Sequence, residues 1–236
     1  MELGEIISDA LTYPFQNIKA LFIYIILGII LGISIIGTLI GIMAGMDANN
    51  VLTVLGSGVI GVIIALIVYF VISGYELDII KLGITRSAGA PSIDFVRQFI
   101  NGVKLFVVSI VYFIVPIIVS AILAVIFQHW LSTIITTILF IIFGLAAFMA
   151  QCRLAKTEDL GYALAIGDAI GDISRVGIVK LLLYIIIVFI IAFVLLLIVS
   201  LIAQWNSYVG GVLLGILGVY LVFFQARAMG LLYSNV

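Results

Sequence analysis

Six stretches of this chain contain no Asp, Glu, Lys, Arg or His: Ala20 to Met46, Val51 to Tyr75, Leu105 to Phe127, Leu131 to Ala150, Leu181 to Ala203 and Tyr208 to Gln225. A hydrocarbon core about 30 Å thick is crossed by roughly 20 apolar residues of helix. Backbone in lipid must also satisfy its own hydrogen bonds, which leaves helix as the form for such runs. The composition agrees, with 66% of the 236 residues hydrophobic and 9% charged, against about 45–50% apolar in soluble domains. The expected fold class is all-α: one integral membrane domain, 1–236, with six transmembrane helices.

Six spans return the chain to its starting side. The turns after the first, third and fifth runs ("DANN", "QHW", "QWNSY") carry no Lys or Arg. All ten basic residues, Lys19, Lys81, Arg86, Arg97, Lys104, Arg153, Lys156, Arg175, Lys180 and Arg227, fall on the other side. Because Lys and Arg near spans stay cytoplasmic, both termini are expected inside a cytoplasmic membrane. Lys19, Lys104 and Lys180 sit at the foot of the odd spans, where an amine snorkels to phosphates. Trp130 and Trp205 fall at the outer boundary, the layer indoles favour. The start, "MELGEIISDALTYPF", is acidic and broken by Pro14, unlike a signal peptide, so no cleavage is expected.

A polar segment with helical spacing precedes each odd span, and each is expected to lie in the interface. In the first, Leu3, Ile6, Ile7, Ala10 and Leu11 oppose Glu2, Glu5, Ser8, Asp9 and Thr12. The second starts at Ser92 as N-cap and sets Ile93, Val96, Phe99 and Ile100 against Asp94, Arg97, Gln98 and Asn101. The third starts near Thr157 and sets Leu160, Ala163, Leu164 and Ile170 against Asp168, Asp172 and Arg175, with Gly161, Gly167 and Gly171 weakening it. The lysine motif recurs as "FQNIKALF", "FINGVKLF" and "VGIVKLLLY". The even spans end in "QCRLAK" and "QARAMG", with "ELDIIK" in the corresponding place and Asp78 where the others have arginine. The plan is therefore three related two-helix units, about 1–80, 88–156 and 157–236, each preceded by an amphipathic helix.

Candidate sites are few. Glu76, Asp78, Lys81, Arg153 and Arg227 lie at equivalent depth at the inner ends of the even spans. They suit an ionic gate or headgroup site if the spans form a ring, and equally suit boundary charges hydrated among headgroups. Asp168, Asp172 and Arg175 read as a solvated face, or as a surface for a cytosolic partner. Gly37, Gly41, Gly45, Gly58, Gly61, Gly211, Gly215 and Gly218 allow close helix approach, within one chain or across a homodimer seam. Pro116 suits a kink or a hinge. Ser34, Thr38, Ser109, Tyr112, Thr136 and Thr137 serve helix-to-helix hydrogen bonds or a polar path. His129 beside Ser132 lacks an orienting acid and an oxyanion arrangement, so no nucleophilic catalysis is expected. A lone histidine and a lone cysteine, Cys152, argue against a metal site or cofactor. A net charge of −1 argues against nucleic acid.

The segments "PSIDFVRQFINGVKLF" and "FMAQCRLAKTEDLGYAL", with the Pro116 span between them, resemble the archaeal multi-pass membrane family called domain of unknown function 4013. The resemblance implies an all-helical fold in an archaeal cytoplasmic membrane and assigns no catalytic residue. The expected function is non-enzymatic: organising a membrane assembly or the local lipid environment, with Glu76 to Asn101 and Gln151 to Lys180 as partner surfaces. The alternative is a carrier or channel for a small neutral or lipid-like solute. Partners expected are membrane lipids, a membrane or cytosolic protein, or a second copy.

Overall fold

The structure, a computed structural model, describes residues 1–126 and 130–236, with 207, 208 and 211 described by backbone alone. Its described residues form nine helices and no strand. They are α1 (Leu3–Gln16), α2 (Ile18–Asp47), α3 (Val51–Ile84), α4 (Phe95–Ile126), α5 (Trp130–Thr157), α6 (Leu160–Ala163), α7 (Ile166–Val176), α8 (Ile178–Trp205) and α9 (Ser207–Tyr233). Six of them, α2, α3, α4, α5, α8 and α9, are long and apolar enough to cross a membrane. The chain is a multi-pass membrane protein.

Local chemistry sets most of the breaks. At the α2–α3 turn Asn49 takes the left-handed conformation (φ 49°), which Asn tolerates better than most residues. Asn50 then caps α3 by accepting the Thr53 N–H at 3.1 Å. Gly177, at φ 97°, ends α7 and starts α8: its N–H reaches Ile173 and its carbonyl accepts from Leu181. A side chain at that φ would be strained.

Two boundaries differ from the sequence reading. The segment before the third span is not a separate helix but the first turns of α4, which runs unbroken past Pro116 to Ile126. Its cap is Asp94, whose Oδ1 accepts the Arg97 N–H at 3.1 Å, and not Ser92. The segment from Thr157 is instead divided into α6 and α7. Asp159 caps α6 by accepting Gly161 N–H at 2.7 Å, and three glycines leave the stretch too weakly helical to stay whole.

The even spans also run further than their apolar stretches, α3 to Ile84, α5 to Thr157 and α9 to Tyr233. These extensions carry the core. Ile79, Ile80, Leu154, Leu231 and Leu232 are buried there, together with Tyr75, Met149, Phe223 and Phe224. That core sits at the end of the bundle holding both termini, called here the terminal end. The opposite halves are exposed: Ile33, Ile40, Leu52, Val125 and Trp205 all face outward, as lipid-facing residues do.

α3 is the central helix, packed on α2, α4, α9 and α5, whereas α8 rests chiefly on α9. Two glycine pairs set the closest crossings. A Cβ on Gly74 would lie 1.7 Å from the Gln98 carbonyl oxygen, and one on Gly102 would lie 1.9 Å from that of Phe70, so α3 and α4 touch backbone to backbone. α3 and α9 meet in the same way at Gly83 and Gly230.

Candidate functional site

Three arginine–aspartate links tie the polar segments to the even spans, and each joins a segment to the even span before it in the chain or, for α1, to α9; Lys81–Glu158 is a further pair outside this pattern. Arg97 of α4 grips Asp78 of α3 with two parallel bonds, 2.6 and 2.9 Å. Asp172 of α7 accepts from Arg153 of α5 at 3.0 Å. Asp9 of α1 accepts from Arg227 of α9 at 2.7 Å. Bidentate arginine–carboxylate contacts are among the strongest and most geometry-specific polar contacts available to a protein.

Each pair sits in a wider network. Asp172 is fully buried and also accepts from Arg175 and, at 2.6 Å, from the Tyr233 hydroxyl. Gln98 is fully buried too: its amide donates to Asp78 and to the Ser92 carbonyl, and its Oε1 accepts the Tyr24 hydroxyl at 2.5 Å. Arg227 donates to the Ser87 carbonyl and lies over the Tyr13 ring at 4.8 Å. Burial pushes the Tyr13 phenol up to about 12, with Arg227 opposing the shift. Lys81 binds Glu158, whose carboxyl it holds below the ordinary glutamate value by hydrogen bond and charge.

The five charges that the sequence offered either as an inner ionic cluster or as boundary charges form no ion pair with one another. Asp78, Lys81, Arg153 and Arg227 each have a separate partner on a polar segment. Arg153 and Arg227, at 8% and 2% exposure, are not hydrated boundary charges. Nor is Asp172 part of a solvated face or Gln98 turned to water. Of the lysines expected as interfacial anchors, Lys19 is exposed, whereas Lys104 donates to the Glu158 carbonyl and Lys180 to that of Met1. Trp130 and Trp205 are exposed at the far end. Gly41 packs on Ser57, Gly45 on Val54 and Gly61 on Thr38, while Gly37 has nothing within 4 Å. Gly211 and His129 lie outside the residues whose surroundings are described.

Glu76 stands apart. It makes no hydrogen bond or ion pair among the described residues and lines a cavity of about 400 Å³ between α2, α3, α4, α5 and α9. Ser73, 4% exposed, and Gln151 line the same end, and their side chains are likewise without a hydrogen-bond partner there. Ser109 is beside them, its hydroxyl returned to the Leu105 carbonyl at 3.0 Å. Tyr69 brings a phenol to the wall, and the rest is apolar or bare backbone, including Leu31, Ile72, Leu214, Gly215, Gly218 and Val219. Tyr69 to Glu76 on α3 spans about 10 Å at 1.5 Å per residue, so the cavity is an elongated, mainly apolar shaft with its one carboxyl group at the Glu76 end. A larger groove of about 680 Å³ lies on the surface between Glu2, Leu3 and the α7–α8 corner. Its Lys180 is already bonded to Met1, which leaves it less polar function to offer.

Sequence reasoning placed Glu76 among the inner charges and missed Ser73 and Gln151 as cavity groups. The signal available was the position of Glu76 and Gln151 at the same step of two related span endings. Buried pairs, an apolar shaft and six lipid-facing helices define a multi-pass membrane protein with an interhelical cavity. A family model described as "Protein of unknown function (DUF4013)" matches residues 57–204, and the chain belongs to that family. No curated protein and no solved structure matches it.

Proposed function

We propose that this is a non-enzymatic membrane protein that shapes its local lipid environment by holding a lipid-like amphiphile in the cavity between α2, α3, α4, α5 and α9. One observation carries the reading: the cavity is mainly apolar and gathers its one carboxyl group, Glu76, with Ser73 and Gln151 at one end, while Tyr69 places a phenol further along α3. Its volume falls within the range of about 300–1,000 Å³ usual for small-molecule sites, which pair apolar walls with a few placed polar groups. Beneath it the terminal end is closed by the Gly83–Gly230 contact and by Tyr75 and Phe223. That closure favours holding over conduction.

In the two segments expected as partner surfaces, Arg97 and Asp172 bond to Asp78 and Arg153, while Glu158, Asp168 and Arg175 keep their side chains exposed. The cavity is the more specific of the two features, and the partner under this reading is a membrane lipid. We further infer a threefold plan of two-helix units, supported by the three arginine–aspartate links between segments and even spans. Residence in an archaeal cytoplasmic membrane with both termini inside rests on the distribution of basic residues and the family resemblance.

The test is to purify the full chain in lipid nanodiscs and weigh it by native mass spectrometry. Gly218 lines the cavity and has nothing within 4 Å of an added Cβ, so Gly218→Phe fills it without a clash at the backbone. Gly37→Phe, at an equally open place outside the cavity, is the control. The expected result is a retained small-molecule mass lost in Gly218→Phe and kept in Gly37→Phe. Equal retention in both overturns the reading.

A further inference from the structure

We infer that the cavity selects an amphiphile with a cationic, hydrogen-bond-donating headgroup, a single-chain alkylammonium, and that Glu76 is the selecting residue. This rests on the cavity reading above and adds the chemistry of the ligand. The polar end holds one carboxyl group, one amide and two hydroxyls, Tyr69 adds a phenol further along α3, and among the described residues no Lys, Arg or His lines the cavity. The cations closest in sequence to the lining residues are engaged elsewhere: Lys81 by Glu158, Arg86 by Ser234 and Asn235, Arg97 by Asp78, Lys104 by the Glu158 carbonyl, Arg153 by Asp168 and Asp172, Arg227 by Asp9. Among the described residues no cationic side chain pairs with Glu76.

A carboxylate away from bulk water is costly unless a cation or several donors meet it. Inside this cavity the neutral polar groups nearest Glu76 are the Ser73 hydroxyl and the Gln151 amide, both without partners among the described residues, while the Ser109 hydroxyl is bonded to Leu105 and the Tyr69 phenol lies about two turns away on α3. An ammonium group placed between them donates to Glu76 Oε, to Ser73 Oγ and to the amide oxygen of Gln151. Its three N–H donors match those three acceptors. A phosphate or carboxylate headgroup would set like charges together with no cation between them. A single alkyl tail follows the shaft along Ile72, Val219, Gly215 and Leu31, where its burial replaces contact with lipid.

The experiment loads full-length protein in phosphatidylcholine nanodiscs with decylammonium, decanol or decanoate at pH 7 and reads occupancy by native mass spectrometry. The expected order is decylammonium tightest, by on the order of tenfold or more over decanol, with decanoate weakest. Glu76→Gln should bring decylammonium down to the level of decanol without changing decanol itself. Gln151→Leu, which leaves the carboxyl in place, should weaken decylammonium a few-fold. Wild-type protein holding decanoate as tightly as decylammonium overturns the headgroup assignment, as does a preference unchanged in Glu76→Gln. In that case a loss of all three ligands in Gly218→Phe still upholds the cavity. If Gly218→Phe leaves all three bound, the cavity reading falls with it. Displacement of decylammonium by an amine-headed single-chain lipid assigns the natural source to the bilayer, and persistence of decylammonium against that lipid assigns it to a free alkylamine. Either result supports the ammonium chemistry.

Discussion

Asp78 and Arg97 reverse the charges found in the other two segment-to-span pairs, where the even span carries the arginine. The Asp78 side chain is 8% exposed and that of Arg97 40%, so breaking the pair leaves an almost buried carboxylate beside Gln98. Asp78→Arg alone should destabilise the protein by about 2–3 kcal/mol, below the cost of a fully buried pair because water reaches Arg97. Adding Arg97→Asp recreates the polarity of the other pairs and should recover at least half of the loss. Thermal unfolding of the two singles and the double in one detergent measures this. A double variant no better than the sum of its singles would show that the pair's orientation is fixed by Gln98 and Ser92. The sequence exposed the oddity of Asp78 but not its partner. Arg97 and Gln98 are neighbours about 100° apart on α4, and which of them faces α3 depends on how that helix is rotated in the bundle. No periodicity within the segment records that rotation, since the burial of Gln98 is compensated by Tyr24 from another helix.

Among the helices, the apolar runs were legible because lipid imposes a length and forbids charge, and both are read directly from residue order. Glycine roles were not. The series Gly37, Gly41 and Gly45 looks uniform, yet Gly41 and Gly45 touch α3 while the residue after Gly37, Thr38, makes the contact with Gly61. The tightest crossing instead uses Gly74 and Gly102, which stand in no repeated spacing. Gly74→Ala places a methyl group against the Gln98 carbonyl and should cost roughly 3 kcal/mol. Gly37→Ala should be neutral or stabilise by up to about 1 kcal/mol, as an open helical position gains from losing glycine's freedom. Unfolding midpoints of the two variants, compared under the same conditions, decide between this picture and one in which all small residues pack alike. The even-span ends were also under-read, because Ile79, Ile80 and Leu231 lie beyond charged residues that seemed to mark the membrane boundary.

For the molecule as a whole, the two ends differ in kind: one is a packed core laced with ion pairs, the other a splayed set of lipid-facing helices. If both termini are inside, Asn49→Cys at the α2–α3 turn should react with a membrane-impermeant thiol reagent added to intact cells. Ser87→Cys in the α3–α4 loop should react only after permeabilisation. Cys152 is fully buried and should stay silent in both. The opposite labelling pattern would invert the orientation drawn from the basic residues. The six spans were readable from the lengths of the apolar runs, and ten basic residues with three short turns supply the orientation that this labelling tests, but the cavity was not legible. A cavity is what remains between five helices, and its lining comes from Gly28 to Val222, far apart in the chain.

The pairs also differ in when they can form. Arg97 follows Asp78, and Asp172 follows Arg153, by 19 residues, whereas Asp9 is 218 residues from Arg227. At roughly 5–20 residues per second of synthesis, α1 waits on the order of 10–40 s for its partner. Through that interval Ile6, Ala10 and Tyr13 have no α9 to cover them. A helix made about 200 residues later is thus the one that fastens α1, and a chain stopped short of Arg227 lacks the cation that holds Asp9.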